Sequence, residues 1–184
     1  MTRVPIFDLD GTLFDSDAAL VAPFVALGID ERDVTFGHVL EHECARLGIT
    51  VADYLSHYDT DTAAPFPGVV EVVEQLDRWA VCSNKVGVYG RAELGRLPGS
   101  PEAALFAEDF GGPKHLGPVL HALGLQAGQV VFVGDTDHDR RCAVDVGATF
   151  ALAAWNPRAV AVAGDVVLAE PADLLRLLAE RSAG

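Results

Sequence analysis

Three short apolar runs punctuate the chain, and each ends in polar residues that open a loop. Val4-Pro5-Ile6-Phe7 runs into Asp8, Trp79-Ala80-Val81-Cys82 into Ser83-Asn84, and Val130-Val131-Phe132-Val133 into Gly134-Asp135. Within each run the apolar residues are consecutive rather than alternating, which predicts strands covered on both faces, as in the middle of a parallel sheet. The second strand is preceded by Val69, Val70, Val72, Val73 and Leu76 at helical spacing, and the third by Val119, Leu120 and Leu123, with Gly124 as a helix stop. A weaker copy of the scheme follows: Thr149-Phe150-Ala151-Leu152, then Val166-Val167-Leu168, then a helix from Pro171 carrying Leu174, Leu175, Leu177 and Leu178. Alternating β and α units predict a Rossmann-like three-layer α/β/α fold around a parallel sheet, with its ligand site beyond the carboxyl ends of the strands.

Residues 16–65 break this alternation, with helix-like segments and no convincing buried strand. They predict a compact helical insertion after the first strand, leaving 1–15 and 66–184 as the core. Phe36, Val39, Leu40, Cys44 and Leu47 share one helical face that Gly48 closes, and Thr50 and Asp53 have the spacing of an N-terminal cap. Ala63-Ala64-Pro65-Phe66-Pro67-Gly68 reads as the return hinge. His38 and His42 have the i, i+4 spacing of zinc-binding helices, but an inward apolar stripe puts both on the solvated side with no third ligand, so no zinc site is expected. Glu43 falls near the apolar side, either to pair locally or to look into the cleft.

At 184 residues the chain has room for one domain plus an elaboration. Its 13 Lys and Arg against 27 Asp and Glu leave a net charge of −14, and the basic residues do not cluster. Neutralising nucleic-acid phosphates or an anionic membrane requires such clusters, so neither is an expected partner. The Asp8 and Asp10 region is too acidic for a secretory leader, and no apolar stretch approaches the roughly 20 residues that span a bilayer, so a cytoplasmic protein is expected. Cys44, Cys82 and Cys142 are odd in number and lack CxxC spacing, which predicts buried reduced thiols rather than disulfides or a zinc site.

Chemistry concentrates at the strand ends. In an extended segment, side chains two apart face the same way, so Asp8 and Asp10 address one site, and Gly11 permits a sharp exit. Asp135 and Asp139 start at the end of another strand, and if both strands are central and parallel the two pairs converge. Carboxylates about 4 Å apart repel by roughly 4 kcal/mol at an effective dielectric near 20, which favours uptake of protons or a hard cation. An oxygen-only ligand set suits Mg²⁺.

Asp8-Leu9-Asp10-Gly11-Thr12-Leu13 closely resembles the first motif of the haloacid dehalogenase-like hydrolases, and the order of the remaining clusters agrees over nearly the whole chain. The resemblance, nearest to phosphoglycolate phosphatase-like members with a C1 cap, implies a phosphatase of a small phosphorylated metabolite working through an aspartyl-phosphate. Asp8 would be the nucleophile and Asp10 the general acid and base. Ser83 matches the second motif, whose hydroxyl and neighbouring backbone groups hold phosphoryl oxygens, with Asn84 and Lys85 beside it. Lys114 matches the third-motif lysine, although His115 stands where the family often has proline. Asp135 and Asp139 match the fourth motif, so that Asp8, the Asp10 carbonyl, Asp135 and Asp139 would hold Mg²⁺, with Asp139 bracing Lys114. Thr12 would position Asp8 and the loop at the substrate. The insertion corresponds in position to a lid over the phosphoryl site.

Two other readings use the same clusters. A phosphomutase of the superfamily would need the lid to retain and turn over a sugar phosphate, and a non-catalytic phosphoryl-ligand binding protein would need no turnover. The second is disfavoured because Asp8, Asp10, Ser83, Lys114 and Asp135 are all intact. A dehalogenase is disfavoured because Asp10 occupies a place where those relatives lack an aspartate.

Overall fold

The computed structural model describes residues 3–36 and 39–180. In chain order its elements are β1 (Val4–Phe7), β2 (Phe14–Asp15), α1 (Asp17–Ala26), α2 (Leu40–Leu47), α3 (Val51–Ser56), β3 (Ala64–Pro65), α4 (Val69–Val73), β4 (Ala80–Cys82) and α5 (Gly87–Leu94). These are followed by β5 (Ala103–Leu105), α6 (Leu116–Leu123), β6 (Val130–Gly134), α7 (Asp137–Val146), β7 (Thr149–Ala153), β8 (Val166–Leu168) and α8 (Asp173–Glu180). Six strands form one parallel sheet in the order β5-β4-β1-β6-β7-β8. The chain leaves β1 for one side of the sheet and returns to β6 on the other. The crevice where ligands bind in such sheets therefore opens over the carboxyl ends of β4, β1 and β6.

The consecutive apolar residues divide between two helical layers by strand pleat. Phe7, Val81, Val131, Val133 and Ala151 pack toward Val69, Val72 and Val73 of α4 and Leu174 and Leu178 of α8. Ile6, Ala80, Cys82, Phe132 and Leu152 pack toward Leu116, Val119 and Leu123 of α6 and Cys142 and Ala143 of α7. Burial of each of the larger side chains, the valines, leucines, isoleucine and phenylalanines, is worth about 1.5–3 kcal/mol, and this two-sided covering is why the runs are apolar throughout.

Between β2 and β3 the chain builds a separate small core from Phe24, Cys44 and Tyr54, with Ile29, Val34, Leu40, Leu47 and Leu55 packed against it. Its helices start and stop as the pattern requires: Thr50 accepts the Asp53 N–H at 3.1 Å to cap α3, and Gly48 ends α2 at φ 74°. The departures are local. β2 and β3 pair antiparallel over two residues each, Phe14 with Pro65 and Asp15 with Ala64, where a hinge was expected without pairing. β5 was missed because its Ala-Ala-Leu run is short, half-buried and at the sheet edge. Phe36 precedes α2 instead of joining its stripe and lies under the Arg158 guanidinium. His42 is exposed, and His38 lies outside the described residues. The three cysteines are free and buried, and among the described residues no helix is long and apolar enough to cross a membrane.

Candidate active site

The first loop is built to aim Asp8. Its backbone N–H continues the ladder by donating to Val133 O at 2.9 Å, after which the chain doubles back, with Leu13 and Phe14 donating to Leu9 O at 2.9 and 3.0 Å. Gly11 takes φ +75° at the apex, and a β-carbon there would fall 2.5 Å from Asp135 Oδ2. Both its conformation and its closeness to the second acidic loop thus exclude a side chain. Gly134 plays the matching part on β6, where a β-carbon would meet the Asp139 β-carbon at 2.4 Å.

These constraints bring Asp8, Asp135 and Asp139 together: one carboxylate oxygen from each lies within 4.8 Å of the others, and all three residues are buried. Asp139 sits in the first turn of α7, with Oδ2 accepting from Thr136 N–H at 3.0 Å and Thr136 Oγ1 at 2.5 Å. Its Oδ1 faces Lys114 Nζ at 2.7 Å, and the same ammonium reaches Asp8 Oδ1 at 2.7 Å. Burial pushes Asp8 up to about 8 despite Lys114, with Asp139 and Asp135 adding repulsion. Burial and then Asp139 push Asp135 up to about 7. Lys114 moves well above the ordinary lysine value, because its two carboxylates outweigh burial. Three acids against one base leave surplus negative charge in a dry place. An all-oxygen donor set of this kind fits a hard divalent cation.

Ser83 follows β4 and is almost fully buried, its N–H on Leu105 O at 3.0 Å and its hydroxyl accepting the Lys85 N–H at 3.2 Å. It does not cap a helix, since α5 begins only at Gly87. Asn84 Oδ1 accepts the Lys114 N–H at 2.7 Å and so ties the second loop to the third. Thr12, expected at the substrate, is instead fully buried with its hydroxyl on Asp135 Oδ1 at 3.3 Å, because the tight turn at Gly11 directs it toward the β6 loop. The Asp10 side chain stands apart from the three-acid cluster and pairs with Lys85 Nζ at 2.6 Å. Glu43 pairs locally: Arg46, Thr35 N–H and the Thr35 hydroxyl all donate to it and outweigh burial, lowering it to about 2.

Three residues were not legible. Asn156 donates from Nδ2 to Asp135 Oδ2 at 2.9 Å and to Gly11 O at 3.0 Å, bracing both acidic loops. Glu93, fully buried on α5, holds Lys85 at 3.0 Å, and Tyr58 donates to Glu93 Oε1 at 2.7 Å while accepting from Lys85 at 2.6 Å. Burial raises Glu93, and its pair with Lys85 opposes this. No spacing rule marks these residues; an acid inside α5 at an apolar position was the one available signal.

A cleft of about 950 Å³, counting the solvent at its mouth, opens above these groups. Asp8, Asp10, Ser83, Asn84, Lys114 and Asp135 line its floor, and Leu20, Phe24, Leu40, Tyr54 and Tyr58 line the wall formed between β2 and β3. A buried carboxylate beside a buried ammonium, in a three-acid cluster that could hold a cation and under an apolar roof, is an arrangement able to meet an anionic group.

No family model matches the chain. A phosphoglycolate phosphatase of Aquifex aeolicus is 28% identical over an alignment covering 96% of each chain. The fold superimposes on a putative phosphoglycolate phosphatase from Lactobacillus plantarum with a TM-score of 0.77 at 22% identity, covering 96% of this chain and 100% of that one. It also superimposes on a haloacid dehalogenase-like hydrolase from Streptococcus pneumoniae with a TM-score of 0.76 at 20% identity, covering 96% and 98%. Motif order, fold and relatives agree: along nearly its whole length the chain is similar to phosphoglycolate phosphatases, and its fold is that of haloacid dehalogenase-like hydrolases.

Proposed function

We propose that the chain is a Mg²⁺-dependent phosphomonoesterase acting on a small phosphorylated metabolite through an aspartyl-phosphate on Asp8. The observation that carries this reading is Lys114 Nζ held 2.7 Å from both Asp8 and Asp139, beside Asp135. The ammonium can meet a phosphoryl group at the moment its charge is redistributed, without reorganising. Asp8 attacks phosphorus, Asp10 protonates the departing oxygen, and Asp10 then takes a proton from the water that cleaves the acyl phosphate. Ser83 and the backbone of Asn84 hold phosphoryl oxygens, and Thr12 acts at one remove by fixing Asp135. Asp8, Asp135, Asp139 and the carbonyl of Asp10 would hold Mg²⁺, which when bound would neutralise the cluster and keep Asp8 ionised.

Residues 16–65 serve as a C1-type lid on a core of 1–15 and 66–184, shielding the acyl phosphate from bulk water. Three reduced thiols suit a cytoplasmic setting. The test is turnover of p-nitrophenyl phosphate with Mg²⁺ and with EDTA, in the wild type and in Asp8→Asn. Activity should require both Mg²⁺ and Asp8, with a loss of about 10⁴-fold or more in the variant. Undiminished turnover in Asp8→Asn, with the fold intact, would remove Asp8 as nucleophile and the reading with it.

A further inference from the structure

The cleft is larger than a phosphoryl group, and its remaining volume defines what is esterified to it. Above the floor, its accessible wall is Leu20, Val34, Leu40, Leu55, Tyr58 and Tyr89, all half-buried and so presenting apolar surface to the cavity. Among the described residues, every lysine and arginine lining the cleft is already committed. Lys114 is held by Asp8 and Asp139, Lys85 by Asp10 and Glu93, and Arg158 by Asp17. The other acid on the wall, Glu43, is closed off by Arg46 and Thr35. A second anionic group on a substrate would therefore find no free cation beyond the phosphoryl site. Taking Lys85 would add a third acid to an ammonium that already carries two, and taking Arg158 would pull it off both Asp17 and the face of the Phe36 ring. An unpaired carboxylate moved from water against such a wall is strongly disfavoured.

We infer that the leaving group is uncharged and largely apolar, an alkyl or aryl alcohol rather than a small hydroxy acid. This rests on the phosphatase reading above and narrows it: the same floor would serve any monoester, while the wall selects against a second anion. It also separates the chain from the substrate named for its relatives. The area on offer suits a group of the size of a benzyl or short branched alkyl alcohol, whose burial displaces water from Leu20, Leu40 and Leu55. The specificity residues are therefore on the wall and make no contact with the reacting atoms.

The test compares three primary-alcohol esters with the wild-type protein and Mg²⁺: benzyl phosphate, 2-phosphoglycolate and the uncharged amide of 2-phosphoglycolate. Benzyl phosphate should exceed 2-phosphoglycolate in kcat/KM by at least about tenfold, the amide should fall between them, and Leu55→Arg should narrow the gap by about tenfold through 2-phosphoglycolate. Calorimetric binding of benzylphosphonate against phosphonoacetate gives the same comparison without turnover. If no ester is hydrolysed but benzylphosphonate binds better, the catalytic reading fails and the assignment of the wall stands. Equal or better handling of 2-phosphoglycolate and phosphonoacetate would overturn the inference while leaving the phosphatase reading in place.

Discussion

The chain's two lysines build two versions of one device, and the contrast between them separates a closed charge cluster from a link to the segment between β2 and β3. Lys114 bridges Asp8 and Asp139 at 2.7 Å each, and Lys85 bridges Asp10 and Glu93 at 2.6 and 3.0 Å. Each buried ammonium joins one acid of the first motif to one acid on a helix. Around Lys114 a third acid, Asp135, completes a surplus that a cation would relieve, and all its members come from strand ends and the first turn of α7. Around Lys85 no third acid stands among the described residues. Its further partner is the Tyr58 hydroxyl, from the chain between β2 and β3, and the Asp10 side chain keeps 21% of its surface exposed. The first centre is closed and negative; the second is nearer balance and joins the first loop and α5 to the segment between β2 and β3. On the proposed mechanism, electrophilic activation would belong to the first, and aiming of a proton donor to the second.

The largest expected effect breaks the first centre. Lys114→Ala should reduce kcat on p-nitrophenyl phosphate by roughly a thousandfold, in line with removal of a preorganised charge donor. Weaker Mg²⁺ dependence without loss of rate would instead make Lys114 a purely structural ion-pair partner. Breaking the second centre should show selectively. Lys85→Met should slow hydrolysis of benzyl phosphate about a hundredfold and of p-nitrophenyl phosphate only severalfold, because a nitrophenolate departs without a proton. That ratio is unaffected by the fraction of protein folded, so an equal loss on both esters would deny Lys85 a role in positioning Asp10. Tyr58→Phe, which removes one hydroxyl from the same network, should reproduce that selectivity at about threefold.

The smallest effect is thermodynamic. Asp8 at about 8 and Asp135 at about 7 lie above the ordinary value of 3.8, so the metal-free folded protein holds protons that the unfolded chain has released. Stability then falls as pH rises, most visibly between about 6.5 and 8, above the range in which His138, lowered mainly by burial, works in the opposite sense. Melting temperature in EDTA should drop by a few degrees across that window, and saturating Mg²⁺ should flatten the slope. A melting temperature that is flat in EDTA would show that the cluster carries no surplus charge.

The two centres also differ in how far they could be read from the chain. Asp8 and Asp135 were legible because consecutive apolar runs fix where central strands end, and the polar residue at a strand end has few places to go; Lys114 was legible through its match to the third motif, one of only two lysines and placed just before a helix. Asp139 followed from its pairing with Asp135 after the third apolar run and from the resemblance of that stretch to the fourth motif. Glu93 and Tyr58 were not legible. Each is an ordinary residue in a short helix or loop, and their meeting depends on how the insertion lies against α5, which no periodicity records. Asn156 escaped for the same reason, since it follows β7 and acts on two loops that lie 21 and 145 positions earlier in the chain. Thr12 was read as facing substrate because motif position identifies the residue but not its rotamer.

The two-residue ladder of β2 and β3 has a consequence for how this protein could change over time. Since the departing and returning strands lie side by side, with Phe14 opposite Pro65 and Asp15 opposite Ala64, everything between them is attached through neighbouring peptide junctions. A roof of different length or composition could be exchanged there without rethreading the parallel sheet, so that selectivity could diversify in descendants while the hydrolytic floor was inherited intact.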